Sequence, residues 1–526
     1  MKAIYRVKNS SGNTTGFILN DNKYYSYYYI LQNISYVNNL KANKNNIITS
    51  NPKIAEKNLA EVNKSQLLKL IKENNIEREV QIEFNEWYKS FKDMILYVSG
   101  ARQVGKTTEI LKFVYSTFEN IIYINLTDTN SRNLLEKALQ SNNILFELIK
   151  YTHQLGLNEY EDNTNTVLII DEIQESSEVY NSLRKIRKEL NCCTIVTGSY
   201  LGRTLTPQYV KPAGDIYEIE MLPLSFKEFA KEFKQSKALE TIDLYRGSTK
   251  EEYETLTKLY QVYIKIGGYP RVVKEYSHTH SIENCYKLLE NLLITFTNES
   301  SSYFNNDEYN RSIGIFENVY KAALIVAAKE KKGTWAKTVE ELTNFINTSS
   351  KEIVSRQEVT KAINWLRYSK ILGSCNLYVN GDKLNIQYDR RFYFMDCGLM
   401  NYISTLTELD NATIQGLLAE NFVYTELYRL YKEHKLKGDK PSYSIYSNYE
   451  LDFMIVDKND KTYGIEVKSS NSNKFKSIKE YINKGLIDEA YVVEITKGGK
   501  SSKQPNLSKI PIYTVGCRFT YWGAKA

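Results

Sequence analysis

Gly100-Ala101-Arg102-Gln103-Val104-Gly105-Lys106-Thr107 fits the pattern G-x-x-x-x-G-K-[ST], and its flanks suit it. Met94–Ser99 (MILYVS) is an apolar, β-prone run that ends at the first glycine. From Thr108 to Phe118, Ile110, Leu111, Val114 and Phe118 fall on one side of a helix. Strand, glycine loop and helix in that order make a phosphate cradle. The glycines let successive backbone N–H groups turn inward, and the helix N-terminus adds its positive end. Lys106 is expected to reach the β- and γ-phosphates of ATP, and the Thr107 hydroxyl to ligate Mg²⁺.

A second strand-to-acid junction follows. Thr166–Ile170 (TVLII) runs directly into Asp171-Glu172. A buried strand that delivers two carboxylates at its C-terminal end supplies the other half of an ATP site. Asp171 is placed in the Mg²⁺ shell, and Glu172 orients the attacking water. Between the two sites lie the strand Ile121–Leu126 and a helix over Leu134–Ile149. Thr194–Thr197 and Ile216–Met221 read as two more strands, the former ending in Gly198-Ser199. Strands that alternate with helices specify a parallel, doubly wound α/β sheet. Tyr260–Tyr269 is a helix stopped by Gly267-Gly268-Tyr269-Pro270.

At 526 residues the chain has room for several domains. We divide it into a small N-terminal β module with its linker (1–63), the ATPase domain (64–235), a helical lid (236–310), a winged helix (311–400) and an α/β domain (401–526). In the first of these, Ala3–Val7 and Thr15–Leu19 flank the turn-rich Ser10–Asn13. An Asn- and Lys-rich linker spans 38–53, and a charged helix spans Lys64–Glu73.

In the fourth domain, Phe316–Lys329 reads as a helix. Thr338 to Glu341 and Ser355 to Glu358 match the S/T-x-x-E capping box, each ahead of another helix. Ile371–Tyr378 and Leu384–Met395 then form a hairpin about Asn380-Gly381-Asp382. Arg356, Lys361, Arg367 and Lys370 either contact DNA phosphates or leave the unit a packing module.

The net charge of +7 permits a nucleic-acid partner without demanding one. The six cysteines include no C-x-x-C and none of the four histidines sits at metal-ligand spacing to a cysteine, which argues against zinc and disulfide scaffolds. The longest strongly apolar run, Ala322–Ala328, is far short of the ~18 residues that span a bilayer. No leader is expected at Met1–Gly12. A cytoplasmic location and no membrane partner are the expectation.

A further chemical site is written near the C-terminus. Glu450-Leu451-Asp452-Phe453 opens one strand and Ile465-Glu466-Val467-Lys468 closes the next, around Asp457–Lys461. A hairpin symmetric about Asn459 puts Asp452 opposite Glu466, with Lys468 on the face of Glu466. Facing carboxylates destabilise a sheet unless a cation neutralises them, which suits Mg²⁺ or Mn²⁺ and metal-assisted phosphodiester hydrolysis. Glu420 lies on the apolar stripe of Leu417, Tyr424 and Leu427 and supplies a third acid.

These stretches resemble a bacterial and archaeal family of AAA-type ATPases whose C-terminal domain has a restriction-endonuclease-like core. The resemblance rests on the 100–107 loop, LIIDEIQ (168–174), GSYLGRTL (198–205), LPLSFKEF (222–229) and GGYPRVV (267–273). It continues through Phe392–Leu399, GLLAENFVYTEL (416–427), Glu450–Phe453 and Ile465–Lys468. It implies that Gly100 through Thr108 bind ATP, that Ser199 senses the γ-phosphate, and that Pro270 rests against the adenine. It also implies that Glu420, Asp452, Glu466 and Lys468 are similar to the metal and catalytic positions of PD-(D/E)XK nucleases, although Leu451-Asp452 replaces the Pro-Asp pair. Arg184, Arg187 and Arg203 are the arginine-finger candidates, and a homo-oligomer is compatible with the family. Two functions stay open: an ATPase coupled to a nuclease acting on DNA, in defence against foreign DNA, or a nucleotide-dependent switch that binds DNA or a protein without cutting.

Overall fold

The computed structural model describes the strands within 3–26, and then residues 76–140, 145–150, 160–198, 209–210, 214–245, 247–301, 318–319, 322–323, 338–349, 353–469, 475–495, 498–500 and 504–518. Ser199, Arg203, the 38–53 linker, the Lys64–Glu73 helix and most of Phe316–Lys329 lie outside the described residues. Near the N-terminus, β1 (Ala3–Lys8), β2 (Thr14–Leu19) and β3 (Tyr24–Ser26) form an antiparallel sheet.

Five strands build the first large sheet: β4 (Ile95–Gly100), β5 (Asn120–Asn125), β6 (Thr166–Asp171), β7 (Cys193–Thr197) and β8 (Ile216–Met221). All pair in parallel, in the order β5-β6-β7-β4-β8. The short aliphatic runs stay continuously apolar because both faces are covered. Leu96, Val98, Val167, Ile169 and Ile195 point into one core, and Ile95, Tyr97, Ile122, Ile124, Leu168 and Ile170 into the other. On the first face the helix Val80–Ser90 lays Phe84 and Trp87 against Phe113 of the helix Lys106–Thr117, with ring centroids 5.5 and 6.3 Å apart. The single helix expected over Leu134–Ile149 is observed as two, Thr129–Gln140 and Leu145–Lys150.

The second sheet is mixed and has eight strands. These are β9 (Leu372–Val379), β10 (Ile386–Phe394), β11 (Ser442–Tyr446), β12 (Tyr449–Val456), β13 (Thr462–Lys468), β14 (Glu489–Glu494), β15 (Gly499–Lys500) and β16 (Leu507–Pro511). Their order is β10-β9-β11-β12-β13-β14-β16-β15. The helices Thr338–Ser349 and Arg356–Tyr368 precede the hairpin as expected, and the Ser355–Glu358 capping box is formed. The hairpin itself is no free-standing wing. β9 pairs in parallel with β11, Ser442 to Ile445 lying beside Asn376 to Val379, so the division drawn at 400 runs through one sheet. Parallel pairing of segments some 66 residues apart leaves no local mark in a sequence.

The helix Asn411–Lys432 joins the two halves. Phe422 packs edge-on against Phe226, Tyr260 and Tyr263 at 5.9, 4.9 and 5.8 Å, so one hydrophobic core runs from the first sheet into the second. Arg429 Nη2 donates to the Pro223 carbonyl at 2.7 Å, and Lys370 pairs with the buried Glu220 of β8 at 2.8 Å. Among the described residues no helix is long and apolar enough to cross a membrane.

Candidate nucleotide site

The loop after β4 takes its shape from two glycines. Gly100 has φ +143°, and a Cβ there would sit 2.2 Å from the Met221 carbonyl oxygen on β8. Gly105 caps the helix Lys106–Thr117 with φ +94°, a conformation that costs any residue with a Cβ. Helix and loop therefore present their N–H groups to one cradle. Lys106 is buried and folds back, its Nζ donating to the Gly100 and Ala101 carbonyls at 2.9 and 2.8 Å. Burial pulls its pKa down to about 8, while Glu172 and Asp171 pull the other way.

The acids at the end of β6 meet this loop. Thr107 Oγ1 donates to Asp171 Oδ2 at 3.0 Å, bringing together the two groups expected to hold Mg²⁺. Tyr123, on β5, donates its hydroxyl to the same Oδ2 at 2.6 Å. Burial raises the Asp171 pKa, and the Tyr123 and Thr107 hydrogen bonds oppose that rise. Glu172 adopts φ 55°, ψ 49°, a left-handed conformation that is strained for glutamate. Its Oε2 accepts from Gln174 Nε2 at 2.6 Å, which fixes the carboxylate beside the loop. Pro270 comes to the same place from the first turn of the helix Pro270–Thr279: its Cγ lies 3.7 Å from where a Gly105 Cβ would be.

Tyr123 and Gln174 escaped the sequence reading. The signal for Tyr123 was a hydroxyl-bearing residue inside an otherwise aliphatic strand, and Gln174 closes the LIIDEIQ stretch. Arg184 and Arg187 are tied to Asp215 and Asp93, at 3.0 and 3.5 Å.

The C-terminal acids are arranged differently from the expectation. The β12–β13 register (Phe453 to Ile465, Val456 to Thr462) is symmetric about Asn459 as expected, and Asp452 and Glu466 are the next residues beyond its last pair. Both side chains are buried. Against β11, however, the register shifts between Leu451 and Met454, a bulge at Asp452-Phe453 that re-aims the side chain. Asp452 Oδ2 accepts the Val467 backbone N–H at 2.6 Å, and Lys468 Nζ lies 2.6 Å from Glu466 Oε1. Glu420 accepts the Tyr393 hydroxyl at 2.6 Å. Among the described residues no three His, Cys, Asp or Glu side chains gather into a metal-holding group, so Glu420, Asp452 and Glu466 do not form a preassembled ligand set. Each acid has a donor on one oxygen, while among the described residues Glu466 Oε2 is buried without a hydrogen-bond partner.

The expected DNA-facing cations are also engaged. Arg356 pairs with Glu340 at 2.6 Å, Arg367 with Asp389 at 2.8 Å, and Lys370 with Glu220, while Lys361 is exposed. Three of the four cations are thus in ion pairs, that of Arg356 at the surface.

Comparison with known proteins agrees with this geometry at the nucleotide site. Residues 92–230 match the model of an AAA domain. Residues 257–410 and 415–513 each match a domain of unknown function (DUF8612 and DUF4143). An uncharacterized protein of Methanocaldococcus jannaschii is 24% identical over 414 residues, covering 77% of this chain and 80% of that one. An uncharacterized protein of Haemophilus influenzae is 25% identical over 189 residues, covering 34% of this chain and 40% of its own length. Among solved structures, a Walker-type ATPase of Pyrococcus abyssi aligns with TM-score 0.38 and 13% identity over 62% of this chain and 96% of that one. The Aeropyrum pernix ORC1 protein in complex with DNA aligns with TM-score 0.27 and 12% identity, over 63% and 93%. Residues 92–230, which match the AAA domain, thus hold a parallel-sheet P-loop core joined to a mixed second sheet.

Proposed function

We propose that this protein binds and hydrolyses ATP at the 100–108 loop and passes the nucleotide state to its C-terminal half. The observation that carries the reading is the convergence of Lys106, Thr107, Asp171 and Glu172 at the ends of β4 and β6. Thr107 and Asp171 suit Mg²⁺, an oxygen-seeking cation that neutralises phosphate charge when bound. Lys106 exchanges its two carbonyl partners for phosphate oxygens. Glu172, steadied by Gln174, accepts a proton from the attacking water or orients it. Pro270 walls the cradle on the Gly105 side. The continuous core and the Lys370–Glu220 and Arg429–Pro223 contacts are a stiff connection between the halves.

The experiment is nucleotide binding and turnover. Lys106→Ala is expected to lose tight ATP binding, and Glu172→Gln to bind without turning over. Wild-type ATPase activity in Lys106→Ala overturns the assignment.

A second reading, cleavage of DNA at the C-terminal acids, is favoured by Asp452 and Glu466 both being buried at the end of the β12–β13 pairing with Lys468 at hand. Among the described residues the acids are not gathered into a group of three, while Glu466 Oε2 is buried without a hydrogen-bond partner, and no step is derived through a metal. Plasmid nicking with Mg²⁺ or Mn²⁺, with and without ATP, tests this reading.

A further inference from the structure

We propose that Asp396, contributed by the C-terminal half, is a positioning residue for nucleotide binding: its carboxylate holds the Gly267–Pro270 turn against the phosphate loop. The inference rests on the reading of residues 100–107 as the ATP site.

Asp396 follows directly on the hairpin and caps the helix Cys397–Ser404, its Oδ1 accepting the Leu399 N–H at 2.8 Å. The second oxygen does something a cap does not require. Oδ2 accepts the N–H of Gly268, 128 residues earlier, at 2.7 Å. Glycine is enforced on the receiving side, because a Cβ on Gly267 would lie 2.1 Å from Asp396 Oδ1. Gly268 cannot retreat, since a Cβ there would meet the Leu224 carbonyl at 2.3 Å, and its own carbonyl accepts the Leu224 N–H at 2.7 Å. On the helix Cys397–Ser404, a Cβ on Gly398 would lie 2.1 Å from the Ile266 carbonyl carbon. Three glycines thus bring two backbones together around one buried carboxylate. Burial lifts the pKa of that group to about 6, against the opposing pull of the Gly268, Leu399 and Gly398 N–H groups.

The turn held in this way is the one that ends in Pro270, at the lip of the phosphate loop. On its other side, Asp396 is two residues from Phe394, whose N–H and carbonyl are both bonded to the Asn421 side chain, at 2.8 and 3.0 Å. Asn421 is the neighbour of Glu420. Backbone and hydrogen bonds therefore link Pro270, Gly268, Asp396 and Asn421, the Pro270 ring lies beside Gly105, and the only ionisable member of this run is Asp396.

The test separates the cap from the turn. Serine is a good N-cap but has one oxygen, so Asp396→Ser keeps the helix start and leaves Gly268 without its acceptor. Losing a hydrogen bond to a charged group is expected to weaken binding of a fluorescent ATP analogue about tenfold. Turnover at saturating ATP should stay within about twofold of wild type, because no reacting group has moved. Pro270→Ala is expected to weaken binding similarly, and the double variant to be no weaker than Pro270→Ala alone, since both act through one turn. In the wild-type chain, the nucleotide should slow amide exchange in peptides spanning 264–272 and 394–400, a measurement that needs no variant to fold. Asp396→Ser binding within twofold of wild type, losses that multiply in the double variant, or unchanged exchange in both peptides overturns the inference. Lys106→Ala is the control: nucleotide binding retained there condemns the ATP-site reading itself rather than the role of Asp396.

Discussion

Glu426 on the helix Asn411–Lys432 is a carboxyl buried between the two halves of the chain, and it should make the protein more stable as a glutamine. Its neighbour Glu228 shows the contrast. Glu228 is paired with Arg78 at 3.0 Å and accepts the Ser225 and Glu79 N–H groups, and these interactions hold its pKa below the usual carboxylate value despite burial. Among the described residues Glu426 accepts only the longer Phe226 N–H at 3.2 Å from the facing half, and its other oxygen lies beside Gly516, which has no room for a Cβ. Arg429 draws its pKa down, Glu433 and Glu228 push it up, and burial dominates, taking it from 4.5 to about 7. The folded chain therefore binds more protons than the unfolded one in this window, and stability falls as pH rises through it. At about 1.4 kcal/mol per unit, the full cost above pH 7 is about 3 kcal/mol, and at pH 5.5 about 1.4 kcal/mol is already present. Glu426→Gln mimics the protonated side chain and removes that cost. Its advantage over wild type should grow by about 2 kcal/mol between pH 5.5 and pH 8.5. Thermal melts of both proteins across that range, without nucleotide, measure it. An advantage independent of pH, or a variant less stable than wild type at pH 8.5, would refute the reasoning by showing that Arg429 keeps Glu426 ionised.

Other outcomes can be checked with the same material. Lys106, with its pKa drawn down to about 8, must regain a proton to meet phosphates in alkaline solution, so ATP affinity should fall by up to about tenfold per unit above pH 8. A flat affinity from pH 7 to 9.5 refutes this. Because Asp452, Glu466 and Glu420 already have donors, calorimetry with Mn²⁺ should give the same isotherm for wild type and for an Asp452→Asn, Glu466→Gln double variant. A site lost in the double variant would show that the acids rearrange around a metal. Ser355→Ala removes the cap of the helix Arg356–Tyr368 and should cost about 1 kcal/mol, read from denaturant midpoints.

What the sequence by itself determined was local. The glycine spacing of 100–107, the aliphatic run into Asp171-Glu172 and the Ser355–Glu358 box each set a conformation within a few residues, because backbone sterics and capping act at that range. The β12–β13 register was legible for the same reason, a short turn leaving little freedom to slip. Tertiary structure decided the rest. Only the fold could enlist β9 and β10 in the second sheet, since a parallel partner 66 residues away is invisible in local periodicity. Only the fold could bulge β12 at Asp452 and bring the Val467 N–H to its carboxylate. That Arg356, Arg367 and Lys370 have Glu340, Asp389 and Glu220 as ion-pair partners was likewise decided by the fold. The meeting of Asp396 with Gly268 spans 128 residues, and no pattern in the chain announces it. Helix and turn energies are written between neighbours, whereas desolvation and ion pairing depend on what the fold brings alongside.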